Sequence, residues 1–302
     1  MRARSEETRG LIFGLAAYGS WGFFPLYFPL LSPAGAYEVL AHRILWSFVF
    51  MALANAAFSL WGPVRAALRS PRTRRLLALA ALLVTVNWGL YIWAVQNNHV
   101  VDAALGYFMN PLVSVALGII AFGERLRHAQ WVALAIAATA IIMLALDAHA
   151  IPWVGLALAG SFGSYGLVKK LADVEAMASL TIETATALPF AIIYVLWLQF
   201  ANQAQFLHAG LGHSLTMLTA GPVTAIPLLG FGAAAVRIPL STLGLLQFIT
   251  PVMQFLIGVF VFHEAMSGLK WGGFVWLWLG LIIFAVDMVR HSRGQREVPE
   301  PI

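Results

Sequence analysis

The chain has 302 residues, of which 61% are hydrophobic and only 10% charged. Soluble domains carry about 25% charged residues, so this balance excludes a water-soluble enzyme, a disordered chain and a nucleic-acid-binding domain. There is no cysteine, hence no disulfide, thiolate metal site or cysteine nucleophile, and the net charge of +5 calls for a topological explanation.

A basic tail (Arg2, Arg4, Arg9) leads into the first apolar window, 10–31. This window contains Trp21, Pro25 and Pro29 and reads as a retained span rather than a cleaved leader. Further windows follow at 37–60, 76–96, 101–122, 130–147, 151–170, 177–200, 214–236, 239–262 and 270–289. Each is about the length of a helix crossing a bilayer core of roughly 30 Å. None alternates polar and apolar in the manner of a barrel strand. The expected fold is therefore an all-α integral membrane protein with ten transmembrane helices. Placing the N-terminus inside puts sixteen of the 18 basic residues on the cytoplasmic side, in the tails and in the segments at 61–75, 123–129, 169–170 and 237. Lys270 alone falls outside, and Arg43 lies within a span. That asymmetry predicts both termini in the cytoplasm.

Two patterns recur at nearly one offset. Gly14-Leu15-Ala16 with Gly19-Ser20-Trp21-Gly22 returns as Gly155-Leu156-Ala157 with Gly160-Ser161-Phe162-Gly163. Pro111, Gly118, Phe122 and Glu124 return as Pro251, Gly258, Phe262 and Glu264. The repeats divide the chain into two five-helix halves, 8–147 and 149–290, followed by a cytoplasmic tail at 291–302. Five is odd, so the second half enters the membrane from the opposite side. Inverted repeats of this kind characterise secondary transporters, with the solute site between the halves.

A charge inside a span costs about 2.5–3.5 kcal/mol on insertion scales, which draws attention to Arg43 and Glu183. The repeat makes them equivalent positions of opposite sign. Arg43 reads as an anion or carboxylate anchor and Glu183 as a proton- or cation-coupling group. The alternative for each is a structural group bonded to neighbouring helices or snorkelling to the interface. Asn87 and Tyr91 share one helical face and suit a ring-bearing solute. Gln96, Asn97, Asn98 and His99 read better as an interfacial belt with capping amides. Tyr107 and Asn110 precede Pro111, and Gln247 precedes Pro251. The two prolines are expected to kink their helices and act as hinges. Glu124 and Glu264, at span ends, are expected to cap the next helix. No metal or cofactor site is readable, and no cofactor is expected.

The runs Asn87-Trp88-Gly89-Leu90-Tyr91-Ile92-Trp93, Leu105-Gly106-Tyr107-Phe108-Met109-Asn110-Pro111 and Pro239-Leu240-Ser241-Thr242-Leu243-Gly244-Leu245-Leu246-Gln247-Phe248, with Glu38-Val39-Leu40-Ala41-His42-Arg43, resemble the RarD branch of the EamA family in the drug/metabolite transporter superfamily. The resemblance covers nearly the whole chain. It implies a bacterial inner-membrane permease of ten helices in two EamA repeats, whose relatives export small metabolites. It also implies a central cavity formed mainly by helices one to four and six to nine, with five and ten peripheral. The expected partners are a small-molecule solute and the lipid bilayer. A non-transporting membrane sensor or assembly subunit is the competing reading.

Overall fold

The computed structural model describes residues 2–96, 100–147, 153–261 and scattered positions between 263 and 287. The described residues are helical or in short turns, with no strand among them. Helix α1 (Arg2–Gly22) bends by 40° into the short α2 (Phe24–Tyr27), followed by a 3-10 turn at Phe28–Leu31. Pro25 and Pro29 fall at the start of these two pieces, where a missing N–H costs least. Next come α3 (Ala36–Ala57), α4 (Trp61–Arg69), α5 (Pro71–Gln96), α6 (Val100–Phe122) and α7 (His128–Asp147). They are followed by α8 (Trp153–Ala172), α9 (Ala176–Phe200), α10 (Leu211–Ala235), α11 (Leu240–Leu246) and α12 (Ile249–Phe260). Asn97 to His99, Phe262, Glu264 and part of the last window lie outside the described residues.

Among the described residues, α3, α9 and α10 are each long and apolar enough to cross a membrane, and the bent α1–α2 pair makes a fourth. Helices α5 to α8 run for 26, 23, 20 and 20 residues, which at about 1.5 Å per residue also reaches across a hydrocarbon core. The stretch expected as a loop at 61–75 is instead mostly helix: α4 and the first turn of α5 carry its five arginines. Burial is one-sided. Helix α9 buries Ser179, Leu180, Thr181, Ile182, Glu183 and Thr184, whereas Phe190, Ile193, Trp197 and Phe200 beyond them are exposed. Exposed large apolar side chains of this density suit lipid rather than water.

Packing partners are exchanged between the two series of helices. Helix α1 packs on α10 and α12, and α8 packs on α5 and α6. The pairs α3 with α9 and α6 with α11 link the series directly. Small residues bring these helices close. A Cβ at Gly22 would lie 2.7 Å from Met253, and one at Gly163 2.7 Å from Val113. These are corresponding places in the repeat: Gly163 is the counterpart of Gly22, and Met253 and Val113 each follow the repeated proline by two. Trp21 and its counterpart Phe162 meet edge to face at 5.8 Å, at the centre of an aromatic cluster with Tyr18, Tyr165 and Phe231.

Proline acts differently in the two expected hinges. Helix α6 passes through Pro111 unbroken. The ninth window is interrupted at Gln247-Phe248 between α11 and α12. Pro251 lacks the N–H that would bond the Gln247 carbonyl, and its ring crowds that carbonyl. Thr250 donates its N–H to the Gln247 oxygen instead, at 3.2 Å.

A Cβ at Gly221 would collide with the Trp46 backbone where α10 crosses α3. Gly221→Val should therefore force the helices apart and cost about 1–3 kcal/mol. The expected result is a clear drop in the unfolding temperature of the detergent-purified protein. Gly89→Val, at a position with open space around it, is the control and should change that temperature little.

Candidate functional site

A cavity of about 110 Å³ lies where the helices converge. Tyr18, Trp21, Phe24 and Phe28 wall it from the bent first segment. Helix α3 contributes Arg43, α5 contributes Asn87, Trp88 and Tyr91, and α6 contributes Tyr107 and Asn110. Phe162 of α8 and Gln247, Thr250, Pro251 and Gln254 around the α11–α12 interruption complete it. Six of the seven polar residues expected at a solute site thus converge here, together with one of the two hinge prolines. Pro111 meets the other series through its carbonyl, which would lie 3.0 Å from a Cβ at Gly244.

The polar walls are held by bonds between helices. Asn87 Nδ2 donates to the Leu158 carbonyl and to Ser161 Oγ, both at 2.9 Å, tying α5 to α8. Ser114 Oγ donates to Gln247 Oε1 at 3.2 Å, tying α6 to the α11–α12 interruption. Thr250 Oγ1 donates to the Tyr18 carbonyl at 2.8 Å and Gln254 Nε2 to the Trp21 carbonyl at 3.2 Å. Asn110 Oδ1 and the Tyr18 hydroxyl are buried with no hydrogen-bond partner.

Arg43 is 9% exposed. Its Nε donates to Thr224 Oγ1 of α10 at 2.9 Å. Its guanidinium lies 4.4 Å from the Trp88 ring centroid, 5.5 Å from that of Phe28 and 5.8 Å from that of Phe24. Among the described residues no carboxylate pairs with it. This buried cation is held by ring quadrupoles, the cation–π interaction.

Glu183 does not line this cavity. Its carboxylate accepts from Lys169 Nζ and Ser179 Oγ at 2.6 Å and from the Tyr165 hydroxyl at 2.9 Å. Both side chains of the Lys169–Glu183 pair are 2% exposed. Lys169, counted from the sequence among the cytoplasmic basic residues, is thus a buried partner inside the bundle. A small void of about 20 Å³ is lined by Glu183 and by Trp88 and Thr224, both of which touch Arg43.

Glu124 does cap a helix, though not the one that follows it in sequence. Its carboxylate oxygens accept the N–H groups of Leu240 and Ser241 at 2.7 and 2.8 Å, at the N-terminus of α11. Gly123, at φ +62°, ends α6 in the left-handed conformation and turns the chain back. Gly118 leaves room for the carboxylate, since a Cβ there would stand 2.5 Å from Oε2. Lys170 Nζ bonds the Ile238 carbonyl at 2.6 Å and approaches Glu124 at 3.8 Å. At the same end Glu6 pairs with Arg237 at 2.9 Å.

Sequence reasoning missed Thr224, Thr250, Gln254 and Lys169 as site neighbours, and it missed Glu38. The Glu38 carboxylate accepts the Gln205 and Phe206 N–H groups at 2.7 and 3.0 Å. Trp21 and Phe162 carried a usable signal, since they occupy one position of the repeat.

Removing one member of a buried ion pair strands the other, at a cost of about 3–5 kcal/mol, while replacing both can be neutral. Lys169→Met alone should destabilise strongly, and adding Glu183→Leu should recover most of the loss. Unfolding in detergent of both single variants and the double variant measures the coupling. Additive losses would mean that the pair does not interact in the folded protein.

Residues 8–146 match the EamA-like transporter family. The Protein RarD of Streptomyces exfoliatus is 51% identical over 98% of this chain and 94% of its own length. The Protein RarD of Escherichia coli is 39% identical over 96% and 98%. An uncharacterized transporter of Vibrio cholerae is 40% identical over 97% of both chains. One solved crystal structure, 19% identical, superposes with a TM-score of 0.70 over 91% of this chain and 96% of its own, which shows a shared fold. With half its residues shared along nearly its whole length, the chain belongs to the RarD branch of the EamA family, multi-pass membrane transporters of the drug/metabolite superfamily.

Proposed function

We propose that the chain is an inner-membrane secondary transporter that exports a small solute by alternating access between two inverted halves, 8–147 and 149–290. The observation that carries this reading is the cavity, whose walls come from both halves and whose polar groups are held by bonds between them. The paired contacts Gly22 with Met253 and Gly163 with Val113 support the inverted relation, because a two-fold axis maps one onto the other. Ten spans with both termini cytoplasmic account for the basic residues, with Lys169 reassigned to the interior.

In this reading the inner end of the α6–α11 crossing is a latch. Glu124 holds the α11 N-terminus, where the helix dipole favours a carboxylate, and Lys170 holds the adjoining turn. Opening to the cytoplasm breaks these bonds. The interruption at Gln247-Phe248 lets α12 tilt while α11 stays against α6, so Pro251 is the working hinge and Pro111 a pivot. Glu183 acts with Lys169 and Tyr165 as the coupling group: protonating the carboxylate releases the lysine and changes how α8 is held to α9.

Reconstituted full-length protein tests the proposal. Loaded vesicles should show saturable, counterflow-type exchange of a small metabolite, and intact protein that moves no solute from a broad metabolite mixture would favour the sensor reading. The chain contains no cysteine, so a single cysteine at Ser114 reports access from the inner side. Glu124→Gln should speed its modification by an impermeant thiol reagent several-fold, and an unchanged rate would remove the latch. Flux should depend on pH, and the Lys169→Met, Glu183→Leu double variant should lose that dependence while remaining folded. Retained dependence would free Glu183 from coupling.

A further inference from the structure

Arg43 is the one formal charge among the described residues that line the cavity. Its Nε is committed to Thr224, whereas its two Nη groups have no hydrogen-bond partner among the described residues. Trp88 covers the guanidinium face at 4.4 Å. What remains is the edge of a planar fork, whose parallel N–H groups match the two oxygens of a carboxylate. A phosphate dianion would bring a second charge with no second cation to meet it. A cationic solute would approach Arg43 with no carboxylate among the described lining residues to pair with.

A second observation is independent of the charge. Asn110 Oδ1, on a residue only 4% exposed, is buried and unpartnered. A buried acceptor left without a donor is costly, so a solute carrying an N–H or O–H gains by satisfying it. The remaining wall is largely aromatic, with Trp21, Phe24, Tyr107 and Phe162 around the space. Flat apolar groups fit such walls by offset or edge-to-face contact.

We propose that the cavity takes a monovalent organic acid with an aromatic or flat apolar body and a non-ionic hydrogen-bond donor. The carboxylate binds the Arg43 fork and the donor binds Asn110 Oδ1. This assignment rests on reading the cavity as the transported solute's site.

Three probes separate the possibilities: N-acetylphenylalanine, its neutral primary amide, and phenethylammonium. Binding to the full chain in detergent is read from thermal stabilisation. The acid should stabilise the protein saturably and bind at least tenfold more tightly than the amide, and the cation should have no effect. Arg43→Gln should abolish the preference for the acid over the amide, and Arg43→Lys should keep part of it. Asn110→Leu should weaken N-acetylphenylalanine but leave 3-phenylpropionate, an acid without the donor, unchanged. If Arg43→Gln does not fold, the ranking on the unaltered protein decides alone. Equal binding of acid and amide, tighter binding of the cation, or no acid binding at millimolar concentration overturns the proposal. Flux of a neutral or cationic solute with the acid excluded overturns the charge class and leaves the transporter reading standing. Acid binding at Arg43 with no flux of any solute overturns the transporter reading and leaves the acid site standing.

Discussion

Carrying Arg43 into the bundle costs free energy that a carboxylate would ordinarily offset, and among the described residues aromatic rings and one hydroxyl take that place. Trp88, Phe28 and Phe24 surround the guanidinium, and Thr224 takes its Nε proton. Ring faces attract a cation without neutralising it. The field of the guanidinium therefore persists in the free space, where an acid on the wall would have quenched it. The aromatic residues of this arrangement come from three separate elements: α2, the 3-10 turn after it and α5. The Lys169–Glu183 pair is the opposite solution to the same problem, with a cation and an anion cancelled internally and kept off the cavity wall.

Much of this was legible in the chain. Hydropathy places the spans at α3, α9, α10 and the bent α1–α2 pair, because lipid demands long apolar helices whose backbone bonds close within the segment. The repeated glycines point to helix contacts, and the structure gives Gly22 and Gly163 equivalent neighbours. Arg43, Asn87, Tyr91, Tyr107, Asn110 and Gln247 were each singled out as a polar group where an apolar one would be cheaper, and they meet in one space.

What stayed hidden was pairing across long separations. Lys169 adjoins Lys170 at a helix end, the pattern of a cytoplasmic boundary, and only its ion pair with Glu183, 14 residues on, shows that it turns inward. Glu124 stands four residues before α7 and reads as its cap. Its true partners are 116 and 117 positions away, reached because Gly123 reverses the chain. Proline also misled in one respect. Pro111 leaves α6 continuous, whereas Pro251 follows an interruption at Gln247-Phe248. There the Thr250 N–H bonds the Gln247 oxygen three residues back, a tighter turn than that of an α-helix.

Gly118 gives the Glu124 cap an evolutionary consequence. The space for the Glu124 carboxylate exists only because position 118 lacks a side chain; a methyl there would stand 2.5 Å from Oε2 and 3.0 Å from the Ser241 nitrogen. An apparently mild glycine-to-alanine change would evict the carboxylate from the α11 N-terminus and so act as a charge deletion six residues downstream. The two positions are epistatic: once either is lost, the other is released from constraint, and sequence drift should discard or retain them together.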